Sequence, residues 1–190
     1  GGNITGLSLQ STEATGKRLD LLTQLVPTQG PIAIFWNATS IPARKAAEAL
    51  ARERGLKLLS IEISDASAIE AAFNKASDAR ANAGLALAAG VLFTRAQRVA
   101  EIAAKRRLPV MYELRQYVDA GGLISYGANI NHIWRQAAGF IDKILRGAKP
   151  SDLPIEQPTK FELVINLKGA KAHGLAVPQS LRVVGDDLIG

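Results

Sequence analysis

Short apolar runs alternate with amphipathic segments along the first 127 residues of the chain. The runs are Ile32–Trp36, Leu58–Ile63, Leu85–Ala88, Val110–Tyr112 and Leu123–Ser125. Continuous apolar runs such as Ile32–Trp36 are typical of strands buried on both faces of a parallel sheet, and Leu58–Ile63 alternates between apolar and polar residues as a strand does. The segments between them carry apolar residues at helical spacing. We therefore predict an α/β fold, a doubly wound parallel sheet of these five strands flanked by helices.

Capping residues and helix breakers set the limits of the predicted helices. Ser11 or Thr12 is a suitable N-cap for a helix that precedes the first strand. Pro42 suits the first turn of a helix and Gly55 its end, which predicts a helix at Pro42–Arg54. The remaining predicted helices are Ala66–Ala81, about Thr94–Arg107, Leu114–Ala120 and about Asn131–Leu145.

The pattern changes after residue 128. The sequence predicts a strand at Lys160–Ile165 and a short helix at Leu167–Ala172, whereas Pro178–Gly190 is a weakly patterned tail. We therefore divide the chain into a Rossmann-like ligand-binding lobe, residues 1–128, and a C-terminal part, residues 129–190.

Polar residues follow the carboxyl end of the first predicted strand, which is where ligands bind in open α/β sheets. Asn37, Thr39 and Ser40 combine an amide, two hydroxyls and free backbone N–H groups at a helix N-terminus. Such a terminus can hold a carboxylate or another anion. Plain N-capping explains the same three residues equally well.

Two tyrosines and an arginine follow later strands of the predicted sheet. Tyr112 and Tyr126 supply rings and hydroxyls to a cleft, or else pack in the core. Arg115 is the candidate for a bidentate carboxylate clamp, and its alternative is a salt bridge to Glu113 or Asp119. The predicted ligand-binding residues are Asn37, Thr39, Ser40, Gly90, Tyr112, Arg115 and Tyr126.

The charge does not point to a nucleic-acid partner. The formal net charge is +6, which suits a nucleic-acid or anionic-membrane surface as well as solvated helix faces. Basic residues are spread over separate predicted helices, and no basic run interleaves with aromatic residues. We therefore expect no nucleic-acid binding.

Motifs for catalysis, cofactors and metals are missing from the sequence. The first strand is followed by Asn37-Ala38-Thr39-Ser40, without the glycines of a dinucleotide site, and no phosphate-binding loop occurs. Ser125 narrowly misses the spacing of a hydrolase nucleophile elbow. The chain has no Cys and two His, which gives no convincing metal site. We expect a protein that is not an enzyme and that uses no cofactor or metal.

Several segments are similar to one known family. Tyr112–Gly127 resembles the signature of the substrate-binding proteins of ABC transporters, of the tryptophan/tyrosine type. The likeness continues in Ile144–Pro154 and Glu156–Asn166 and includes the opening Gly1–Gly6. The segments cover nearly the whole chain in the order of the family.

The resemblance implies a type I periplasmic binding protein fold, of which this chain is the second lobe. Gly1–Gly6 sits in the middle of such proteins, so the resemblance implies a first lobe before it. Residues 129–190 would hold the helix that crosses the hinge and a segment that completes the lobes. The implied function is capture of a small solute, such as an amino acid or similar carboxylate, in the cleft between the lobes. The implied partner is the membrane permease of an ABC importer, and the implied location is the periplasm, with no signal peptide in this sequence.

One departure from the family pattern affects the ligand. Ala88-Ala89-Gly90 stands where the family leads us to expect an acidic residue and a proline. Ligand identity is therefore not carried over. The alternative function, from another class, is the effector-sensing domain of a transcription regulator, which shares this fold.

The helix at residues 131–145 carries an apolar stripe that an absent first lobe would leave in water. The stripe consists of Ile133, Ala137, Phe140, Ile141 and Ile144. Contiguous apolar patches of this size are seldom left exposed. We therefore expect a protein made of these residues alone to cover the helix by self-association, as a two-fold homodimer through this helix or by exchange of the segment after Gly127.

Overall fold

The computed structural model describes residues 2–27 and 29–190. Within them, one sheet of seven strands has the order β2-β1-β3-β4-β5-β6-β7. Strands β1 to β5 pair in parallel, β6 is antiparallel to β5, and β7 is parallel to β6. The strands are β1 Ile32–Trp36, β2 Leu58–Glu62, β3 Ala83–Ala86, β4 Val110–Tyr112, β5 Ile124–Ala128, β6 Phe161–Asn166 and β7 Asp187–Ile189.

Helices connect the strands and cover both faces of the sheet. They are α1 Thr15–Leu25, α2 Ile41–Glu53, α3 Ala68–Asp78, α4 Gly90–Phe93, α5 Ala96–Lys105, α6 Arg115–Asp119, α7 Ile130–Leu145, α8 Leu167–Ala172 and α9 Gln179–Val184. Short 3-10 helices occupy Ala38–Ser40 and Pro150–Asp152. The predicted parallel sheet of five central strands flanked by helices is confirmed.

Successive side chains of the strands pack alternately into two apolar cores, one on each face of the sheet. In β1, Ile32 and Ile34 pack on one face of the sheet with α1 and α2, whereas Ala33 and Phe35 pack on the other. The Phe35 ring stacks on Phe73 of α3 with 4.3 Å between centroids. Each large apolar side chain buried in this way contributes about 1.5–3 kcal/mol.

Several boundaries differ by a few residues from the sequence-based prediction, and three segments differ more. Helix α1 begins at Thr15 instead of near Ser11 or Thr12, because Gln10 is left-handed (φ 46°) and residues 11–14 form turns. The helix predicted at about Thr94–Arg107 is α5, and a further short helix that was not predicted, α4, precedes it with Thr94 as its C-cap. The tail forms α9 and β7, since the backbone N–H of Leu163 donates to the Asp186 carboxylate (2.7 Å) beside the β6–β7 pairing.

The N-terminal segment lies beside α7. Leu7 and Glu156 form an isolated parallel bridge. An apolar groove of about 500 Å³ is lined by one side of α7 and by Thr5, Gly6, Leu7 and Leu9. Of the predicted stripe, Ile133 and Phe140 are buried, whereas Ile141 is 58% exposed. Strands β6 and β7 belong to the same sheet as the first five strands. The division of the chain at residue 128 and the hinge-crossing role of the helix at residues 131–145 stay predictions.

Candidate functional site

A cavity of about 410 Å³ opens at the carboxyl edge of the parallel strands. Residues that follow β1, β3, β4 and β5 line it, together with Leu9 from the N-terminal segment. Its position includes the gap between β1 and β3, where the strand order reverses, and ligands bind at such switch points in open α/β sheets. The lining residues are Leu9, Thr39, Ala86, Leu87, Ala88, Ala89, Gly90, Phe93, Glu113, Leu114, Gln116, Tyr117, Ile130, Asn131 and Trp134.

Small residues form one wall of the cavity and aromatic rings form another. The wall after β3 is Ala88-Ala89-Gly90, the sequence that departs from the expected family pattern. Phe93 meets the ring of Tyr117 edge-on with 6.3 Å between centroids. Trp134, one turn into α7, is 67% exposed at the cavity. Flat, apolar surfaces of this kind suit an apolar or aromatic ligand.

Glu113 is the one acidic residue of the lining, and its side chain is only 6% exposed. It follows β4, and its carboxylate Oε1 lies 3.4 Å from Nη2 of the fully buried Arg18. Arg18 also donates from Nε to the Tyr126 carbonyl (2.7 Å) and from Nη1 to the Ser11 carbonyl (3.0 Å). Burial lowers the pKa of the Arg18 guanidinium, and the charge of Glu113 opposes that shift.

Gly127 of β5 allows the backbone of Glu113 to approach closely. A Cβ at residue 127 would overlap the carbonyl oxygen of Glu113. A side chain there would therefore displace either β5 or the segment that carries Glu113. The glycine thus helps to place the carboxylate at the cavity.

The predicted ligand-binding residues after β1 form hydrogen bonds mainly with one another. The Thr39 backbone N–H donates to Asn37 Oδ1 (3.1 Å), and the Asn37 N–H donates to Ser40 Oγ (3.0 Å). Ser40 is buried, and this capping box is the N-capping alternative described above. Thr39 and Gly90 line the cavity, whereas Asn37 and Ser40 do not.

Tyr112, Arg115 and Tyr126 also lie outside the cavity lining. Tyr112 is fully buried and stacks on Tyr117 at 4.7 Å, and burial raises the pKa of its hydroxyl. Tyr126 stacks on Phe161 at 5.8 Å. A solute-binding role for these three residues stays a prediction.

Arg115 forms salt bridges with two aspartates on the surface. Its guanidinium lies 3.3 Å from Asp119 and 2.8 Å from Asp187 of β7. The hydrogen bond to Asp187 is the main cause that raises the pKa of Arg115. The pair with Asp119 is one of the alternatives that the sequence left open.

Sequence reasoning missed lining residues that lie on helices. Phe93, Gln116, Tyr117 and Trp134 lie within α4, α6 and α7, one or more residues after the strand ends. A rule based on strand ends selects the first residues after a strand and passes over the next turn of helix. One signal in the sequence could have found part of this set. Asn131 and Trp134 are three residues apart and therefore share a face of α7, just after the end of β5.

Metal sites and membrane-spanning helices were considered for the described residues alone. Within residues 2–27 and 29–190, no three His, Cys, Asp or Glu side chains gather as metal ligands would. No helix in that part of the chain has the length and apolar character needed to cross a membrane.

Residues 1–189 match the family model described as "ABC transporter substrate binding protein". The chain belongs to this family. Membership of a family of binding proteins agrees with the prediction that the chain is not an enzyme. None of the curated proteins matches the chain.

Solved structures share the fold at low sequence identity. A conserved domain protein from Vibrio cholerae O1 biovar El Tor superposes with a TM-score of 0.90 at 21% identity, over 99% of this chain and 64% of that one. An ABC domain from Streptococcus pneumoniae in complex with L-Trp has a TM-score of 0.84 at 20% identity, over 92% of this chain and 60% of that one. A probable maltose operon transcriptional repressor from Staphylococcus aureus has a TM-score of 0.58 at 14% identity, over 84% and 60%. The chain thus spans about three-fifths of the length of these structures.

Proposed function

We propose that this chain is the solute-binding lobe of a substrate-binding protein that serves an ABC importer. The observation that carries the proposal is the cavity of about 410 Å³ at the carboxyl ends of four parallel strands. Its volume lies in the range of small-molecule sites, and its walls are mainly apolar with few polar groups, as such sites usually are. Membership of the family supports the same function.

In this proposal a first lobe, outside the 190 residues, closes over the cavity by a hinge motion. The solved relatives are longer than this chain, which leaves room for such a lobe. Trp134 and Phe93 are exposed at the cavity, where a closing lobe would cover them together with the solute. The partner of the closed form would be the membrane permease of the importer, and the protein would work in the periplasm.

The lining supports an amino acid or a similar small solute with an apolar body. The L-Trp bound to the Streptococcus pneumoniae relative is a solute of that kind. A carboxylate on the solute has no cationic partner here, because no Lys, Arg or His lines the cavity in the described part of the chain. A carboxylate would therefore be held by backbone N–H groups or by the first lobe.

The effector-sensing domain of a transcription regulator remains the second candidate, favoured by the fold shared with the repressor. The positive charge adds little to it, because the basic residues are spread over separate helices, and three of them, Arg44, Arg54 and Arg98, pair with Glu48, Asp20 and Glu70. Our proposal therefore includes no nucleic-acid partner. A helix-turn-helix encoded directly upstream would favour the regulator, and a signal peptide would favour transport.

Without a first lobe, we propose that the chain forms a homodimer through α7. Ile141, Trp134 and Leu145 are exposed on this helix, and Phe140 is buried at the groove beside it. Sedimentation velocity of the 190-residue chain tests the dimer. A monomer at high concentration would contradict it.

A pair of glycine substitutions tests the cavity as the binding site. A side chain at Gly90 would enter open space at the cavity, and one at Gly139 would enter open space on the exposed side of α7. We expect Gly90→Leu in the full-length protein to weaken solute binding at least tenfold and Gly139→Leu to leave it unchanged. The measurement is calorimetric titration with solutes from a thermal-shift screen of amino acids, amines and sugars. A screen in which no solute binds would contradict the function, and full binding by Gly90→Leu would contradict the site.

A further inference from the structure

Basic residues that are far apart in the sequence meet at the amino edge of the sheet, where the parallel strands begin, opposite the cavity. Strands β3 and β4 begin side by side, since the Gly84 N–H donates to the Pro109 carbonyl (2.8 Å). Strand β6 is antiparallel to β5 and therefore ends at this edge, followed by α8. The exposed cations of α8 and of the turns before β2, β3 and β4 form what we call the basic edge: Lys57, Arg80, Arg106, Arg107, Lys168 and Lys171.

Ion pairs do not neutralise the basic edge. None of its six residues forms a salt bridge within residues 2–27 and 29–190. Three of the helices that end at this edge, α2, α3 and α6, have an acidic last residue, namely Glu53, Asp78 and Asp119. Asp119 pairs with Arg115. The cations outnumber these carboxylates, so the edge carries a net positive charge.

Two arginines of the basic edge occupy backbone positions that favour glycine. Helices α2, α6, α7 and α8 are each followed, directly after the C-cap, by a left-handed glycine: Gly55, Gly121, Gly147 and Gly174. At the same position after α3 and α5 stand Arg80 (φ 53°) and Arg107 (φ 51°). A residue with a Cβ is strained there. Cations stabilise a helix C-terminus, but Lys75 and Lys105 already do so in the last turns of α3 and α5. The two strained arginines thus indicate a use for positive charge at this edge beyond helix stability.

The surroundings of the basic edge favour an anionic lipid surface over other polyanions and over proteins. Protein interfaces are built around apolar or aromatic anchors, and in the described part of the chain no large apolar side chain of these turns or of α8 is exposed. Single-stranded nucleic acid needs stacking rings, and the exposed Phe93 and Trp134 lie at the cavity. Duplex DNA is read by a helix or a β-ribbon in a groove, whereas this edge presents turns and helix C-termini. A lipid surface requires only clustered Lys and Arg side chains.

We propose that the basic edge binds the anionic phospholipid surface of the membrane. The attraction acts over about one Debye length, so it holds the lobe close to the lipid headgroups without insertion. Because the cavity opens at the opposite edge of the sheet, a lobe held in this way keeps its cavity directed away from the lipid. The inference goes beyond the proposed function and does not depend on the identity of the solute.

Vesicle sedimentation of the full-length protein tests the inference. Vesicles of phosphatidylcholine alone are compared with vesicles that contain about one-third phosphatidylglycerol, in about 0.1 M NaCl. We expect at least tenfold tighter binding to the anionic vesicles, and we expect about 0.5 M NaCl to abolish most of the difference because salt screens exposed charges. Equal binding to the two kinds of vesicle, or binding to neither, would overturn the inference and leave solute capture untouched.

A DNA duplex of about 20 base pairs is the competing polyanion. Its binding is measured by fluorescence anisotropy in the same buffer. We expect the duplex to bind more weakly than the anionic vesicles. Tighter binding of the duplex would overturn the inference in favour of a nucleic-acid partner.

Charge reversal locates the effect at the basic edge. We expect the triple variant Arg80→Glu, Arg106→Glu, Arg107→Glu to bind anionic vesicles at least tenfold more weakly. The matched control reverses three exposed cations near the starts of α1, α2 and α5, at the other end of the sheet: Lys17→Glu, Lys45→Glu, Arg95→Glu. It has the same net charge, and we expect it to lose less than threefold. Equal losses in the two triple variants would show that net charge alone attracts the protein, which would overturn the basic edge as the binding surface.

A milder variant serves if the triple variant does not fold. Arg80→Gly, Arg107→Gly removes two charges and gives each left-handed position the residue that suits it. We expect this variant to be no less stable in urea unfolding, yet to bind anionic vesicles at least threefold more weakly. A folded double variant that binds anionic vesicles as tightly as the unmodified protein would overturn the role of the two arginines and with it the inference.

Discussion

Arg18 and Arg115 both pair with carboxylates, but the two pairs lie in opposite surroundings. Arg18 is fully buried on α1 and faces Glu113 below the cavity. Arg115 begins α6 with its side chain 32% exposed and meets Asp119 and Asp187 on the surface. Exposed pairs contribute about 0–1 kcal/mol, whereas removing one partner of a buried pair costs several times more. The comparison shows that the environment of an arginine, more than its place in a motif, decides what it does.

Removal of the buried arginine should have the largest effect. Arg18→Met leaves the Glu113 carboxylate buried without its cation, so we expect a loss of about 3–5 kcal/mol in the free energy of unfolding. Urea unfolding of the full-length protein measures it. The matched control is Arg115→Met, for which we expect a loss below about 1 kcal/mol. Equal losses in the free energy of unfolding for the two variants would show that burial does not make the Arg18 pair more important for stability than the Arg115 pairs.

A methyl group at Gly127 should disturb the buried pair from the other side. Its Cβ would overlap the Glu113 carbonyl, so we expect Gly127→Ala to cost about 1–3 kcal/mol of stability. In the control Gly139→Ala the Cβ meets open space within α7, and alanine should stabilise the helix by up to about 1 kcal/mol. Both are read from urea unfolding, and a neutral Gly127→Ala would contradict the close approach.

Arg115→Ala should have the smallest effect on solute binding. This substitution distinguishes the carboxylate clamp predicted from the sequence from the surface salt bridges seen in the structure. If Arg115 clamps a solute carboxylate, its loss weakens binding by about 2 kcal/mol. Because the guanidinium is held by Asp119 and Asp187 outside the cavity, we expect the affinity for bound solute to change less than threefold. Calorimetric titration distinguishes the two outcomes. A loss of affinity of tenfold or more would support the role of Arg115 as a carboxylate clamp.

Local sequence predicted the site unevenly. The small residues after β3 and the polar residues after β1 follow strand ends, and Thr39 and Gly90 do line the cavity. Trp134 and Tyr117 reach the cavity from α7 and α6, and no local pattern shows that these helices lie beside the strand ends. Glu113 was visible as a polar residue at a strand end, but its partner Arg18 is distant in the chain, and no local pattern links the two.

The sequence by itself determined the five parallel strands and most of the helices between them. Continuous apolar runs, helical spacing and capping residues act within a few positions of one another, so they can be read along the chain. Tertiary structure alone decided the tail and the interior of the site. Strand β7 exists because it pairs with β6, and the buried Arg18 is stable because β5, the segment before α1 and Glu113 surround it. Such contacts depend on residues that are far apart in the chain, and folding has to bring them together before they add any stability.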